Sequence, residues 1–128
     1  MTIRLGGALA VFALLFGLTA PLEAATTATA DILRDAARVY LQGDFATAFS
    51  LWRPLADQGE PMAQTNLGIM YAKGESVRQD YVRAYMWLTL ATSFGSGEAS
   101  RYRDIISRHM TAEQISEAER LIANWRPR

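Results

Sequence analysis

Laid over itself, this chain repeats, and the repeat limits what it can fold into more than any other feature. Asp44-Phe45-Ala46-Thr47-Ala48 lies over Asp80-Tyr81-Val82-Arg83-Ala84, so acid, aromatic and alanine coincide at an offset of 36 residues. At the same offset Trp52 falls on Leu88, Ala56 on Thr92, Gly59 on Gly95 and Ala63 on Ala99. Upstream, Tyr40-Leu41-Gln42-Gly43 matches Tyr71-Ala72-Lys73-Gly74 at an offset of 31, and the difference is the segment Glu75 to Gln79, which only the second unit carries. A period in the thirties with helical patterning marks stacked helix hairpins, none of which can bury its apolar face alone.

Each unit reads as two helices. In unit one Ile32, Ala36, Val39 and Tyr40 form one helical stripe, and Gly43 stops it. Asp44 is placed to cap a second helix with the stripe Phe45, Ala48, Trp52 and Leu55, ending before Gly59. In unit two Pro61 suits a first turn, Ala63, Leu67, Met70 and Tyr71 make the stripe, and Gly74 ends it. Asp80 then caps a helix carrying Tyr81, Ala84, Tyr85, Leu88 and Ala91 inward. Ala48 and Ala84 occupy equivalent places, where a small residue lets paired helices approach closely. After Gly95-Ser96-Gly97 a third hairpin is expected. Its first helix, from about Glu98 to Arg108, carries Tyr102, Ile105 and Ile106. Its second opens on a Thr111-x-x-Gln114 capping box and turns Ile115, Ala118, Ile122 and Trp125 inward. Pro54, about ten residues into its helix, removes a backbone bond and predicts a kink near Ser50 to Arg53.

The expected fold is therefore all-α, with repeat one at about 31–59, repeat two at about 60–95 and a capping hairpin at about 97–125. The first 24 residues read as an export signal. Arg4 and the amino terminus give a basic start, Leu5 to Leu18 is uncharged and apolar, Pro21 breaks the run, and Leu22-Glu23-Ala24 suits a peptidase. Cleavage is expected between Ala24 and Ala25, or one residue later, followed by a disordered lead-in over 25–30. The mature protein would be periplasmic or secreted, with no membrane contact. An uncleaved inner-membrane anchor is the alternative, since the uncharged stretch extends to Leu22, the lower limit for spanning.

The span Asn66-Leu67-Gly68-x-x-Tyr71-x-x-Gly74-x-x-Val77-x-x-Asp80-Tyr81-x-x-Ala84-x-x-Trp87 resembles the signature of the Sel-one-like repeats, a branch of the tetratricopeptide-like helical repeats. The ending from Met110 to Trp125 is similar to the closing helix of short bacterial members. The resemblance makes Leu67, Gly68, Tyr71, Gly74, Asp80, Ala84 and Trp87 structural positions. It implies a right-handed α/α superhelix of about two repeats plus the capping hairpin, serving as a protein-interaction adaptor. Two departures stand out: Gly74 and Ser76 replace the usual loop glycine pair, and the first unit lacks that loop.

Composition argues against other functions. The 13 basic and 13 acidic residues cancel, which leaves no field to gather nucleic acid. With no cysteine and one histidine, neither disulfides nor the usual zinc sites can form within the chain, and no cofactor or metal is expected. His109, Ser107 and Asp104 are near one another in sequence but point apart on a helix, and no G-x-S-x-G turn presents a nucleophile. No catalytic residue is assigned. The tryptophans Trp52, Trp87 and Trp125 fit a core better than a ligand cage. The leading reading is a non-catalytic binding module of the envelope or secreted space. The alternative is an envelope enzyme or small-ligand receptor on the same scaffold.

The first helix of each hairpin should line the concave side. Opposite the buried stripe of unit two lie Met62, Thr65, Ile69 and Ala72; the equivalents are Asp31, Arg34, Arg38 and Leu41 in unit one, and Glu98, Arg101, Ile105 and Arg108 in the third hairpin. Arg34, Arg38, Thr65, Ile69, Arg101 and Arg108 are the expected groove. An apolar anchor among forked cationic donors suits an acidic or carboxylate-bearing peptide.

Overall fold

The computed structural model describes residues 26–128. The expected signal segment and its cleavage site lie outside the described residues. Helix α1 covers 26–41, and α2 (Phe45–Asp57), α3 (Pro61–Lys73), α4 (Tyr81–Ser93), α5 (Gly97–Ser107) and α6 (Ala112–Asn124) follow. Every regular element among the described residues is helical, in the hairpin order read from the repeat. Residues 26–30, expected to be an irregular lead-in, are helical as well.

From α2 to α6 each helix start is closed locally by a side chain. Asp44 accepts from the Thr47 amide at 3.1 Å, Glu60 from Ala63 at 2.6 Å and Asp80 from Arg83 at 3.0 Å. Ser96 accepts from Ala99 at 3.2 Å. Thr111 and Gln114 form the full capping box, at 3.1 and 2.9 Å. A cap of this kind is worth about 1 kcal/mol. At the other end of α3, Gly74 adopts φ +73, the left-handed turn that lets its amide bond back to Met70. Ser76, two residues on, is the one described non-glycine at positive φ, +62. It stands where the resemblance expects a second glycine. Pro54 lies inside α2, which nevertheless runs on to Asp57, and the Ser50 carbonyl lacks its helical donor.

Helix α3 is the centre of the stack: α2, α4 and α5 all pack on it, while α4 also meets α5 and α6. Consequently α3 is buried on more than one side, with Gln64 and Thr65 enclosed together with Ala63, Leu67, Gly68, Met70 and Tyr71. Gln64 is fully enclosed, and its amide donates to the Ala56 carbonyl at 3.1 Å, tying α3 to the end of α2. Nothing in the hydrophobic pattern announces that bond. Helices α3 and α4 approach closely at Gly68, where an added Cβ would stand 2.6 Å from Leu88 Cγ and 3.2 Å from the Ala84 carbonyl oxygen. Ala48 and Ala84 are fully buried, and so, almost, are Trp52 and Trp87. Of the expected first stripe, Ala36, Val39 and Tyr40 serve the core, and only Ile32 departs. Ile32 is 36% exposed, and Leu33 and Ala37 pack on the core beside Ala36 in its place.

Candidate peptide-binding groove

Helices α3 and α5 are the first helices of successive hairpins, and they touch only lightly along their shared seam. That light contact leaves two hollows. Met62, Thr65, Ile69 and Ala72 recur every three or four residues, so one stripe of α3 supplies a wall to both. The hollow at the C-terminal ends, about 200 Å³, is walled by Ile69 and Lys73 of α3, Tyr81 of α4, Tyr102 and Ile105 of α5, and His109. Ile105 is 51% and Tyr102 36% exposed, whereas Ile106, beside them, is buried. Of the three apolar residues expected on α5, only Ile106 serves the core.

The six expected groove residues separate here. Ile69 lines the hollow. Thr65 does not face solvent: it is 4% exposed, and its hydroxyl donates to the Pro61 carbonyl at 2.8 Å and lies 3.1 Å from Ser96 Oγ. It borders the other hollow of the seam, enclosed because α5 covers a second face of α3. Arg34, Arg38, Arg101 and Arg108 are exposed, but none of them lines the hollow at Ile69. Arg38 instead pairs with Asp35 on its own helix at 3.7 Å, an exposed contact worth little. The basic side chains present are Lys73 and His109. Lys73 Nζ is 3.8 Å from Glu75 Oε1, and the other Glu75 oxygen accepts from Tyr40 Oη at 2.7 Å. Burial, and then that bond to Glu75, push the Tyr40 phenol up to about 12. The loop present only in unit two is thereby fastened to α1.

The residues expected to be structural stand in the core or at turns. Leu67, Gly68, Tyr71, Ala84 and Trp87 are buried, Gly74 caps α3 and Asp80 caps α4. The guanidinium of Arg53 lies 5.5 Å from the centre of the Trp87 ring and also bonds Asp57 at 3.2 Å. A third hollow, about 230 Å³, adjoins that pair and the segment at Trp125 and Arg128. Of its lining residues Arg53 and Asp57 pair with each other, and Arg126 and Arg128 lie at its edge as well.

Catalytic geometry is not assembled around the histidine. His109 is exposed, its ring stacks on Tyr81 with centroids 5.9 Å apart, and Ser107 Oγ donates to the Asp104 carbonyl at 2.8 Å. The Asp104 carboxylate pairs with Arg103. Among the described residues no group of three or more His, Cys, Asp or Glu side chains is placed to hold a metal ion. No helix of the described residues is long and apolar enough to cross a membrane.

Residues 61–93, which are α3, the loop and α4, match the family model described as Sel1 repeat. Among curated proteins none matches the chain. Sel1 repeats are TPR-like helical hairpins that commonly mediate protein–protein interaction. Within the matched span Gly68 is the close-packed glycine, Gly74 ends α3 and Asp80 caps α4, so residues 61–93 carry a Sel1 repeat, and the helical hairpins before and after it are consistent with a Sel1-like repeat protein.

Proposed function

We propose that the protein is an exported, non-catalytic interaction module that holds a segment of a partner protein in the α3–α5 groove beside Ile69. The observation that carries this reading is the exposure of Ile105 and Tyr102 opposite Ile69 in a concave hollow. Single apolar residues are common on surfaces, but three converging on one hollow form a site that water solvates poorly. Lys73 and His109 at its edge favour a segment with a carboxylate beside its apolar anchor. Export rests on the basic start, apolar run and small-residue site of the first 24 residues.

Affinity capture from envelope extract with the tagged protein, run beside Ile105→Glu, tests the groove. Ile105 is outside the core, so the variant should fold normally and lose the partners that the groove holds. Identical capture by both forms moves the site to another face. Amino-terminal sequencing of the fractionated protein tests export: a start at Ala25 supports it, and an intact Met1 chain in the membrane fraction refutes cleavage.

A further inference from the structure

The hollow at the N-terminal ends of α3 and α5 differs from the one beside Ile69 in sign and in wall chemistry. It holds about 290 Å³, its charged residues are Glu60 and Glu98, and no cation lines it. Each carboxylate stands at a helix start, which carries about half a positive charge. Two full charges set against two halves leave the hollow negative by about one charge. Glu60 spends one oxygen on the Ala63 amide, while the Glu98 carboxylate has no hydrogen-bond or ion-pair partner among the described residues.

The apolar wall is held in place from behind. Met62 is 56% and Phe94 46% exposed. The Phe94 ring packs over Gly59, where an added Cβ would lie 3.5 Å from the ring and where φ is +96, a conformation that favours glycine. Its edge meets Trp125 with centroids 5.8 Å apart. An aromatic ring that is half exposed yet seated on a glycine and a tryptophan is pre-ordered for contact, so a ligand stacking on it loses little to ordering. Ser96 Oγ and the Asn66 amide add polar atoms to the same wall.

We propose that this hollow binds an arginine side chain of a partner protein. An apolar wall beside a net single negative charge complements a side chain with an aliphatic stem and a cationic head. Arginine fits better than lysine because its planar guanidinium stacks on a phenyl face and presents paired donors to a carboxylate. The site goes beyond the groove beside Ile69, since it has other walls and the opposite sign. The two readings therefore stand or fall separately.

The test is an amide chemical-shift titration of the isotopically labelled protein with N-acetyl-arginine amide, compared with the neutral isostere N-acetyl-citrulline amide and with N-acetyl-lysine amide. Saturable shifts centred on residues 60–66 and 94–98 are expected for the arginine compound, in the millimolar range for so small a probe. The citrulline compound should bind at least several-fold more weakly, and the lysine compound more weakly than arginine. Glu98→Gln, an exposed change outside the core, should weaken the arginine compound about threefold while leaving helicity unchanged. Equal shifts from the citrulline compound, no saturable shift from the arginine compound, or shifts centred on Lys73 and His109 would each overturn the proposal. Equal binding of the lysine compound would overturn the assignment to arginine.

Discussion

Replacing Gly68 with alanine tests the close crossing of α3 and α4. The added methyl would stand 2.6 Å from Leu88 Cγ, 2.9 Å from Leu88 Cδ2 and 3.2 Å from the Ala84 carbonyl oxygen. Leu88 is fully buried, so it cannot swing into solvent, and the backbone of α4 must move instead. Overpacking a dense core costs about 1–3 kcal/mol, and a contact this short, with backbone behind it, belongs at the upper end. Against that, alanine is favoured over glycine inside a helix by about 1 kcal/mol. The balance is a loss of about 2 kcal/mol, which for a domain of this size lowers the melting temperature by roughly 10 °C. Thermal unfolding followed by circular dichroism measures it, and Leu88→Ala separates clash from side effects. Alone, Leu88→Ala should destabilise by about 2–5 kcal/mol through the cavity it leaves. In the Gly68→Ala background the new methyl partly fills that space, so the double variant should be clearly more stable than the two losses added together. A Gly68→Ala protein melting at or above the wild-type temperature would refute the close crossing.

Ser76→Gly should raise stability by about 0.5–1 kcal/mol: it releases the left-handed strain at φ +62, a gain partly offset by the greater freedom of glycine in the unfolded chain, and a denaturant midpoint measures the shift. Tyr40→Phe should cost about 1–2 kcal/mol, because it strips a bond from a Glu75 carboxylate that is 17% exposed. The Tyr40 phenol is raised from 10.0 to about 12 on folding, so its contribution to stability is complete below pH 10 and is lost as pH climbs towards 12. A phenolate absorbance titration should accordingly show one late tyrosine that Tyr40→Phe removes. Thr111→Ala should cost about 1 kcal/mol by opening the capping box of α6, and an unchanged melting curve would show that the end of α6 is not held by its cap.

What could be read from the sequence was what is decided locally. Asp44, Asp80 and the Thr111–Gln114 pair cap their helices because a cap needs only its own next three residues. The inward tryptophans Trp52 and Trp87 followed from helical spacing and from the apolar area an indole gains by burial. The burial of Thr65, by contrast, was hidden. Periodicity identifies a single apolar face, and α3 has α2, α4 and α5 against it, so a residue opposite the stripe is still enclosed. Pairs far apart in sequence, such as Tyr40 with Glu75 or Gln64 with the Ala56 carbonyl, leave no periodic trace. Phe94 did leave one: at the repeat offset it stands where unit one has Gln58, each just before a glycine, and an aromatic in place of a polar turn residue marks a departure that the stacking alone does not require.

The two hollows share one stripe of α3, and this bears on the affinity the seam can reach. From Asn66 to Lys73 the helix rises about 10 Å, a length that three or four residues of extended chain span. A partner segment carrying an arginine at one end and an apolar residue beside a carboxylate at the other would meet Phe94 and Glu98 with the first and Ile105 and Lys73 with the second. Each contact alone is weak, since both hollows are open to solvent and the charges at their edges are screened by salt. Joined on one segment, the second contact forms at the effective concentration set by the first, which for so short a link is millimolar or higher. The affinities then multiply, and the opposite charges at the two ends favour one direction of the bound chain over its reverse. On this reading, direction as well as affinity would be set by where α3 and α5 fail to close.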